Sequence, residues 1–152
     1  MPRYSIPINT NITLTANTAR TIIAVSTSAT RRARLCGFEF GFDSVVGTDN
    51  SVLWEIVRSD ATTAGTATST TPVPVDQGET AALCSGFTAY TAEPTVLTVL
   101  KSDRCTPVGG GIIFPLEPED QFIASASGRI IGVRLTSAQN QNNVRGTLWF
   151  DE

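Results

Sequence analysis

Few residues of this sequence could carry chemistry, and histidine is absent from all 152 positions. Without an imidazole the chain has no Ser-His-Asp or Cys-His arrangement for nucleophilic catalysis, and it lacks a common zinc ligand. Its three cysteines, Cys36, Cys84 and Cys105, are far apart in sequence and form no CxxC motif. An odd number of widely spaced cysteines is not typical of a disulfide framework. We therefore expect three free thiols in a reducing compartment, at least two of them buried.

Acidic side chains offer a second possible chemistry, which is the binding of a metal ion. Glu117, Glu119 and Asp120 lie close together and carry the oxygen ligands that Ca²⁺ prefers. They lack the repeated Asp/Asn spacing of a dedicated calcium loop, which favours a solvated turn. The triple glycine at 109–111 has neither the Gly-Lys-Ser/Thr ending nor the following helix of a phosphate loop. We predict no catalytic residue, no metal site and no cofactor, and we expect that the chain is not an enzyme.

The charge of the chain argues against nucleic acid as a partner. The net charge is -3, and the basic run at 31–34 has no aromatic residues interleaved with it for base stacking. Only 16 % of the residues are charged, against about 25 % in typical soluble domains, which suggests that a partner covers part of the surface. The first ten residues lack the apolar core of a signal peptide, and no apolar run reaches transmembrane length. We expect a soluble protein, made in a cytoplasm, with no membrane partner.

The elements that position these residues are predicted to be β-strands, because apolar residues recur at every second position. The clearest strand spans 34–42, where Cys36, Phe38, Phe40 and Phe42 share one face. At least seven such strands without helical periodicity predict an all-β fold, an antiparallel β-sandwich of jelly-roll-like form. The predicted core contains Phe38, Phe40, Trp54, Ile56, Val133 and Leu148.

Two segments stand apart from this pattern. Residues 1–18 are predicted to be an extended N-terminal arm, since Pro2 and Pro7 are incompatible with a helix and apolar residues alternate along the segment. Residues 19–152 then form the sandwich domain. The arm either closes the domain's own sheet or reaches a neighbouring chain by strand addition. The polar segment 60–80 is either a functional loop or a Greek-key crossover along an edge of the sandwich.

Five segments of the chain resemble phage-encoded head proteins. They are NTARTIIAVSTSATRRARLCGFEFGFD, TTAGTATSTTPVPVD, TAEPT, GGGIIFPLEP and GRIIGVRLTSAQNQNNVRGTLWFDE, and together they cover most of the chain. The family that they resemble is that of the decoration, or cement, proteins of tailed-bacteriophage capsids, which have a jelly-roll-like β-sandwich. The resemblance implies a structural virion protein on the capsid exterior, often a homotrimer, that bridges subunits of the major capsid protein.

The family offers no motif that marks contact residues, so the candidate interface comes from the strands and loops alone. We expect removal of residues 2–10 to leave the sandwich folded, because terminal segments contribute least to the core, and to weaken binding of the capsid sharply. An alternative is a trimeric tail-fibre or tail-tip domain that presents Trp149 and polar loops to a receptor or glycan. The predicted interface residues are Arg3, Tyr4, Ile6, Ile8, Thr70, Pro72, Pro74 and Trp149.

Overall fold

The computed structural model describes residues 1–42, 51–59, 65–106, 111–119 and 121–152. Within these residues all regular secondary structure consists of β-strands, and neighbouring strands always pair antiparallel. In chain order the strands are β1 (Arg3–Pro7), β2 (Ile12–Leu14), β3 (Ala19–Ser26), β4 (Ala33–Phe42), β5 (Val52–Ser59), β6 (Thr66–Thr70), β7 (Val73–Pro74), β8 (Ser85–Ala92), β9 (Leu97–Cys105), β10 (Gly111–Pro115), β11 (Ile123–Ala124), β12 (Ile130–Ser137) and β13 (Gln141–Asp151).

The strands form two sheets that pack against each other, which confirms the predicted antiparallel β-sandwich. The sheet that we call the front sheet has the order β10-β4-β13-β1-β7, with β11 also paired to β4 and β2 also paired to β13. The back sheet has the order β6-β8-β3-β12-β5-β9. Both sheets are thus built from strands that are distant in sequence, and the chain crosses between them repeatedly.

The hydrophobic core lies between the inner faces of the two sheets. Phe38 on β4 lies near its centre, with ring centroids 5.4 Å from Trp54 on β5 and 5.5 Å from Phe114 on β10. Buried aromatic pairs at such separations contribute roughly 0.5–1.5 kcal/mol beyond the burial of their area. The structure confirms burial of all six predicted core residues, namely Phe38, Phe40, Trp54, Ile56, Val133 and Leu148.

The alternation of side chains along β4 breaks at Cys36. Two successive residues of β13 pair with Gly37 and Leu35, so Cys36 is an extra residue in β4 and forms a β-bulge. Leu35 therefore joins Phe38 in the main core cluster, while Cys36 lies outside that cluster. The predicted position of Cys36 on the aromatic core face was wrong, because a strictly alternating pattern does not reveal a one-residue insertion.

Residues 1–18 lie in the domain's own front sheet. β1 pairs along its whole length with β13, and β2 pairs with the beginning of β13. The side chains of Tyr4, Ile6 and Ile8 are buried in the core. Of the two alternatives for the arm, the structure shows the one that closes the sheet. Removing residues 2–10 would therefore take side chains out of the core, and the sandwich is not expected to remain intact without them.

The described part of the polar segment, residues 65–80, is a crossover between the two sheets. β6 pairs with β8 in the back sheet, and β7 pairs with β1 in the front sheet. Between them the chain passes from one side of the sandwich to the other. Residues 60–64 of this segment lie outside the described residues. The crossover interpretation thus holds for the described part.

Replacing Ile6 tests whether β1 belongs to the core. Ile6→Ala should lower the free energy of unfolding by about 2–5 kcal/mol, because a fully buried side chain is lost and a cavity remains. Ser5→Ala is the matched control, since Ser5 is half-buried on the opposite face of the same strand, and it should change stability by less than about 1 kcal/mol. Urea unfolding of both variants measures this, and equally small losses would show that β1 does not contribute to the core.

Candidate interaction surface

The three cysteines are free, protonated thiols. Burial raises the pKa of Cys84 to about 12 and those of Cys36 and Cys105 to about 11. Cys36 and Cys84 are buried, as predicted. A protonated thiol is a weak nucleophile at neutral pH, so none of the three is poised for covalent catalysis. Among the described residues, no group of three or more His, Cys, Asp or Glu side chains is placed to hold a metal ion.

The carboxylates of Glu93 and Glu152 accept hydrogen bonds from backbone N–H groups of buried residues. Glu93 accepts hydrogen bonds from the backbone N–H of Thr21 at 2.6 Å and from its hydroxyl at 2.5 Å. The carboxylate of Glu152 accepts a hydrogen bond of 2.9 Å from the backbone N–H of Cys84. Buried backbone N–H groups need such partners, so these two side chains have a structural role.

The acidic turn after β10 is at the surface. Glu117 and Glu119 are both exposed, whereas Asp120 lies outside the described residues. Of the triple glycine, Gly109 and Gly110 also lie outside them. In the described part of the chain no helix is long and apolar enough to cross a membrane.

Half of the predicted interface residues have side chains inside the sandwich. Tyr4, Ile6 and Ile8 belong to the core, and Pro72 is buried as well. Tyr4, Ile6 and Ile8 were placed in the predicted interface because residues 1–18 could act as an arm, and Pro72 because it lies in the polar segment 60–80. Because these side chains pack inside their own chain, they are not available to a partner in this fold.

The other four predicted interface residues reach the surface to different extents. Arg3 is exposed and forms an ion pair with Asp151, with 2.9 Å between Nε and Oδ1. Pro74 is half-buried on β7, at the edge of the front sheet, and Thr70 is half-buried on β6. Trp149 is half-buried on β13. Arg3 and Trp149 lie on the outer face of the front sheet, whereas Pro74 pairs with the core residue Tyr4. Thr70 belongs to the back sheet.

On β13, Trp149 is the only aromatic residue whose side chain lies on the outer face of the described front sheet, away from the core. It pairs with Gly37 on β4 and with Ser5 on β1. Glycine is required at position 37, because a Cβ atom there would lie 2.9 Å from the carbonyl oxygen of Phe114. The indole therefore stands beside two small residues on the outer face of the front sheet, where an aromatic ring can stack on a flat ligand.

A second surface lies at the β10 edge of the front sheet, opposite the edge formed by β7. There β10 approaches β9, the edge strand of the back sheet, and the Lys101 ammonium lies 5.0 Å from the centroid of the Phe114 ring. Apolar side chains are exposed on all three strands of this edge. Ile113 on β10 and Ile123 on β11 lie on the outer face of the front sheet, whereas Val99 on β9 pairs with Val57 and lies on the outer face of the back sheet. We call the surface formed by β9, β10 and β11 the open side.

The edge strands of the sandwich differ in how well they are protected against pairing with another chain. β9 carries Lys101, Asp103 and Arg104, and charges of this kind discourage edge-to-edge pairing. β7 has only two residues and includes Pro74, which has no N–H to donate. β10 has the sequence Gly-Ile-Ile-Phe-Pro without a charge, and Ile113 is 73 % exposed. Pro115 lacks an N–H only at the C-terminal end of the strand, so β10 is a weakly protected apolar edge.

Two grooves border β10, one on each of its faces. The outer groove has a volume of about 460 Å³ and lies beside Ile113, and the inner groove has a volume of about 450 Å³ and lies beside Phe114. The outer groove is lined by Glu39, Gly41, Gly111, Arg145 and Thr147, among others. The inner groove is lined by Lys101, Leu116, Glu117, Glu119 and Phe122, among others.

The sequence prediction did not include the open side in the interface. The signal was present, because GIIFP is an apolar run without charges that is bounded by glycine and proline. Such a run also fits a strand buried in the middle of a sheet, and only its position at the edge separates the two possibilities. Comparisons of the chain with protein-family models, with curated proteins and with solved structures found no significant match.

The buried thiol of Cys84 makes stability depend on alkaline pH. The folded chain holds this thiol protonated up to about pH 12, whereas an unfolded thiol ionises near its ordinary pKa of 9.0. The unfolded state therefore loses the proton first, and the free energy of unfolding should fall as pH rises from 9 towards 12. In Cys84→Ala this contribution is missing, so stability should decline less steeply between about pH 9 and 11. Urea unfolding of both proteins across this range measures the difference, and identical slopes would contradict a buried, protonated thiol.

Proposed function

We propose that this chain is a structural virion protein that decorates the exterior of a bacteriophage capsid and bridges subunits of the major capsid protein. The observation that carries the proposal is the open side, where exposed apolar side chains accompany the weakly protected strand β10. Exposed apolar groups at a sheet edge favour contact with another protein. The sequence segments resemble capsid decoration proteins, and on this resemblance the proposed partner is the major capsid protein.

The architecture of the chain suits a bridging role. A protein that ties subunits together needs a rigid body and surfaces that bind, and it needs no reactive group. In this sandwich the first strand, the fourth strand and the last strand are hydrogen-bonded neighbours. A force applied at the open side would therefore be carried by strands from the whole length of the chain.

The proposed assembly is a homotrimer, in which the edge formed by β7 supplies the contact between copies. Three exposed apolar residues lie on or after β7, namely Val73, Val75 and Leu83. Arg3 and Pro74, which the sequence predicted as contacts, lie at the same edge. A three-fold contact joins two different patches of neighbouring copies, and this arrangement leaves the open side of each copy for the capsid.

A second candidate function is the binding of a receptor or glycan by a tail protein. The observation that favours it is the half-buried Trp149 on the outer face of the front sheet, beside Gly37 and Ser5. Aromatic rings in such positions stack on the apolar faces of sugar rings. This candidate places the ligand on the outer face, away from the edge at β10, and so the two functions predict different sensitive residues.

Binding to undecorated capsid shells tests the first proposal. Ile113→Lys should weaken co-sedimentation with the shells by roughly tenfold or more, because the new charge would be desolvated at the contact. Val96→Lys is the matched control, because Val96 is 69 % exposed and lies outside the strands of the open side. Both variants should remain folded, since each change is at an exposed side chain.

Light scattering and a glycan-binding assay complete this experiment. A trimer that binds shells through Ile113 supports the proposal. A chain that does not sediment with shells would rule out the decoration function, and loss of glycan binding in Trp149→Ala would then support the tail protein. Equal shell binding by wild type and Ile113→Lys would show that the open side is not the contact.

A further inference from the structure

We propose that β10 accepts an extended segment of a partner protein as an added strand, and that this segment carries a basic residue beside Glu117 and Glu119. The identity of the partner as a capsid subunit rests on the proposed function. The strand addition itself rests on the edge, the grooves and the charges around β10.

The first step of the argument is the free side of β10. In the described residues β10 (Gly111–Pro115) pairs only with β4, so its other side has no strand partner among them. The backbone N–H and C=O groups of an edge strand are obligatory hydrogen-bonding groups, and an extended segment can satisfy them in a ladder. β10 therefore offers main-chain hydrogen bonds without any rearrangement of the sheet.

The second step is the position of the two grooves. Side chains of an added strand would alternate between the two faces of the sheet, at every second residue. On the outer face they would meet the groove beside Ile113, which is bordered by the small residues Gly41 and Gly111. On the inner face they would meet the groove beside Phe114 and Leu116. Strand addition gains specificity from pockets of this kind for alternate side chains, so the segment should itself alternate in apolar residues.

The third step is the charge around the inner groove. Glu117 and Glu119 border it, and the ammonium of Lys101 lies over the Phe114 ring, 5.0 Å from its centroid. The groove is therefore lined by two carboxylates and by one ammonium that already has an aromatic partner. A basic residue of the added segment would meet this excess negative charge at the end of β10 where the acidic turn begins.

The same charges argue against a second copy of this chain as the occupant. β10 of another copy has no basic residue, so it could not complement Glu117 and Glu119. β7 of another copy has two residues and includes Pro74, which limits the ladder that it could form. β6 has only threonine, alanine and serine side chains, which offer little apolar surface to the grooves. β9 has a basic residue, but Lys101 already lies over the Phe114 ring of its own copy, and Asp103 would add to the negative charge. A segment of a different protein fits these observations better.

Two synthetic peptides serve as probes, acetyl-KTVTITVT-amide and acetyl-ETVTITVT-amide. In an antiparallel pair the first residue of the peptide lies at the end of β10 next to the acidic turn. The lysine peptide should bind roughly tenfold more tightly than the glutamate peptide in fluorescence anisotropy. Glu117→Gln combined with Glu119→Gln should abolish this preference, Ile113→Lys should weaken binding of both peptides, and Val96→Lys should bind as wild type.

Residue-resolved amide hydrogen exchange locates the bound peptide. Amides of residues 111–114 should gain protection when the lysine peptide binds, while those of β9 at residues 101–104 should not. No binding and no protection at about 1 mM peptide would overturn the inference, whether or not the chain binds shells. Protection of residues 111–114 that depends on protein concentration without peptide would assign the edge to a second copy and would also overturn it. Peptide binding at β10 by a chain that does not bind shells would support the inference and contradict the capsid as partner.

Discussion

The antiparallel pairing of β13 with both β4 and β1 is the constraint on which the front sheet depends. β13 lies in the middle of this sheet, and its ladder with β1 joins residues as far apart as Arg3 and Asp151, 148 positions along the chain. Bringing such distant residues together has an entropic cost, which the burial of apolar side chains must exceed. Tyr4 and Phe150, stacked with ring centroids 5.5 Å apart, supply part of that burial where the first and last strands meet. The ion pair of Arg3 contributes little by comparison, because it is at the surface.

The sequence predicted what depends on local alternation, and it did not predict what depends on pairing between distant strands. Phe38 and Phe40 were placed correctly in the core because a period of two is a direct property of a strand. The bulge at Cys36 was missed, since only the register with β13 reveals the extra residue. The apolar pattern also does not reveal strand β8, because serine, glycine and threonine separate its apolar residues and Ala89 adopts a φ of 52°, which interrupts the alternation. The burial of Tyr4 was missed for the same reason as the bulge, since its partner strand is the last one in the chain.

At the candidate interaction surface, too, one feature follows from local alternation and another depends on the position of a strand in the sheet. Trp149 could be predicted as a side chain on the outer face, because its neighbours in sequence alternate towards the core. The exposure of Ile113 could not be predicted, because an apolar strand has the same sequence pattern in the centre of a sheet as at its edge. Its proposed role rests on contrast with β9, which has charges, and with β7, which has only two residues. β6, the remaining edge strand, has no charge either, but its side chains are threonine, alanine and serine and present no apolar patch. A protein that protects some edges and leaves an apolar one unprotected has the features of a chain that binds a partner there.

The central claim is that the chain binds a capsid through β10, and a cryo-electron-microscopy reconstruction of shells mixed with the purified chain tests it most directly. The account predicts density for the sandwich on the outer surface of the shell, with the front sheet continued beyond β10 by a strand of the capsid subunit. Density that contacts the shell only through the edge at β7 or through the face around Trp149, or shells without bound chain, would contradict it.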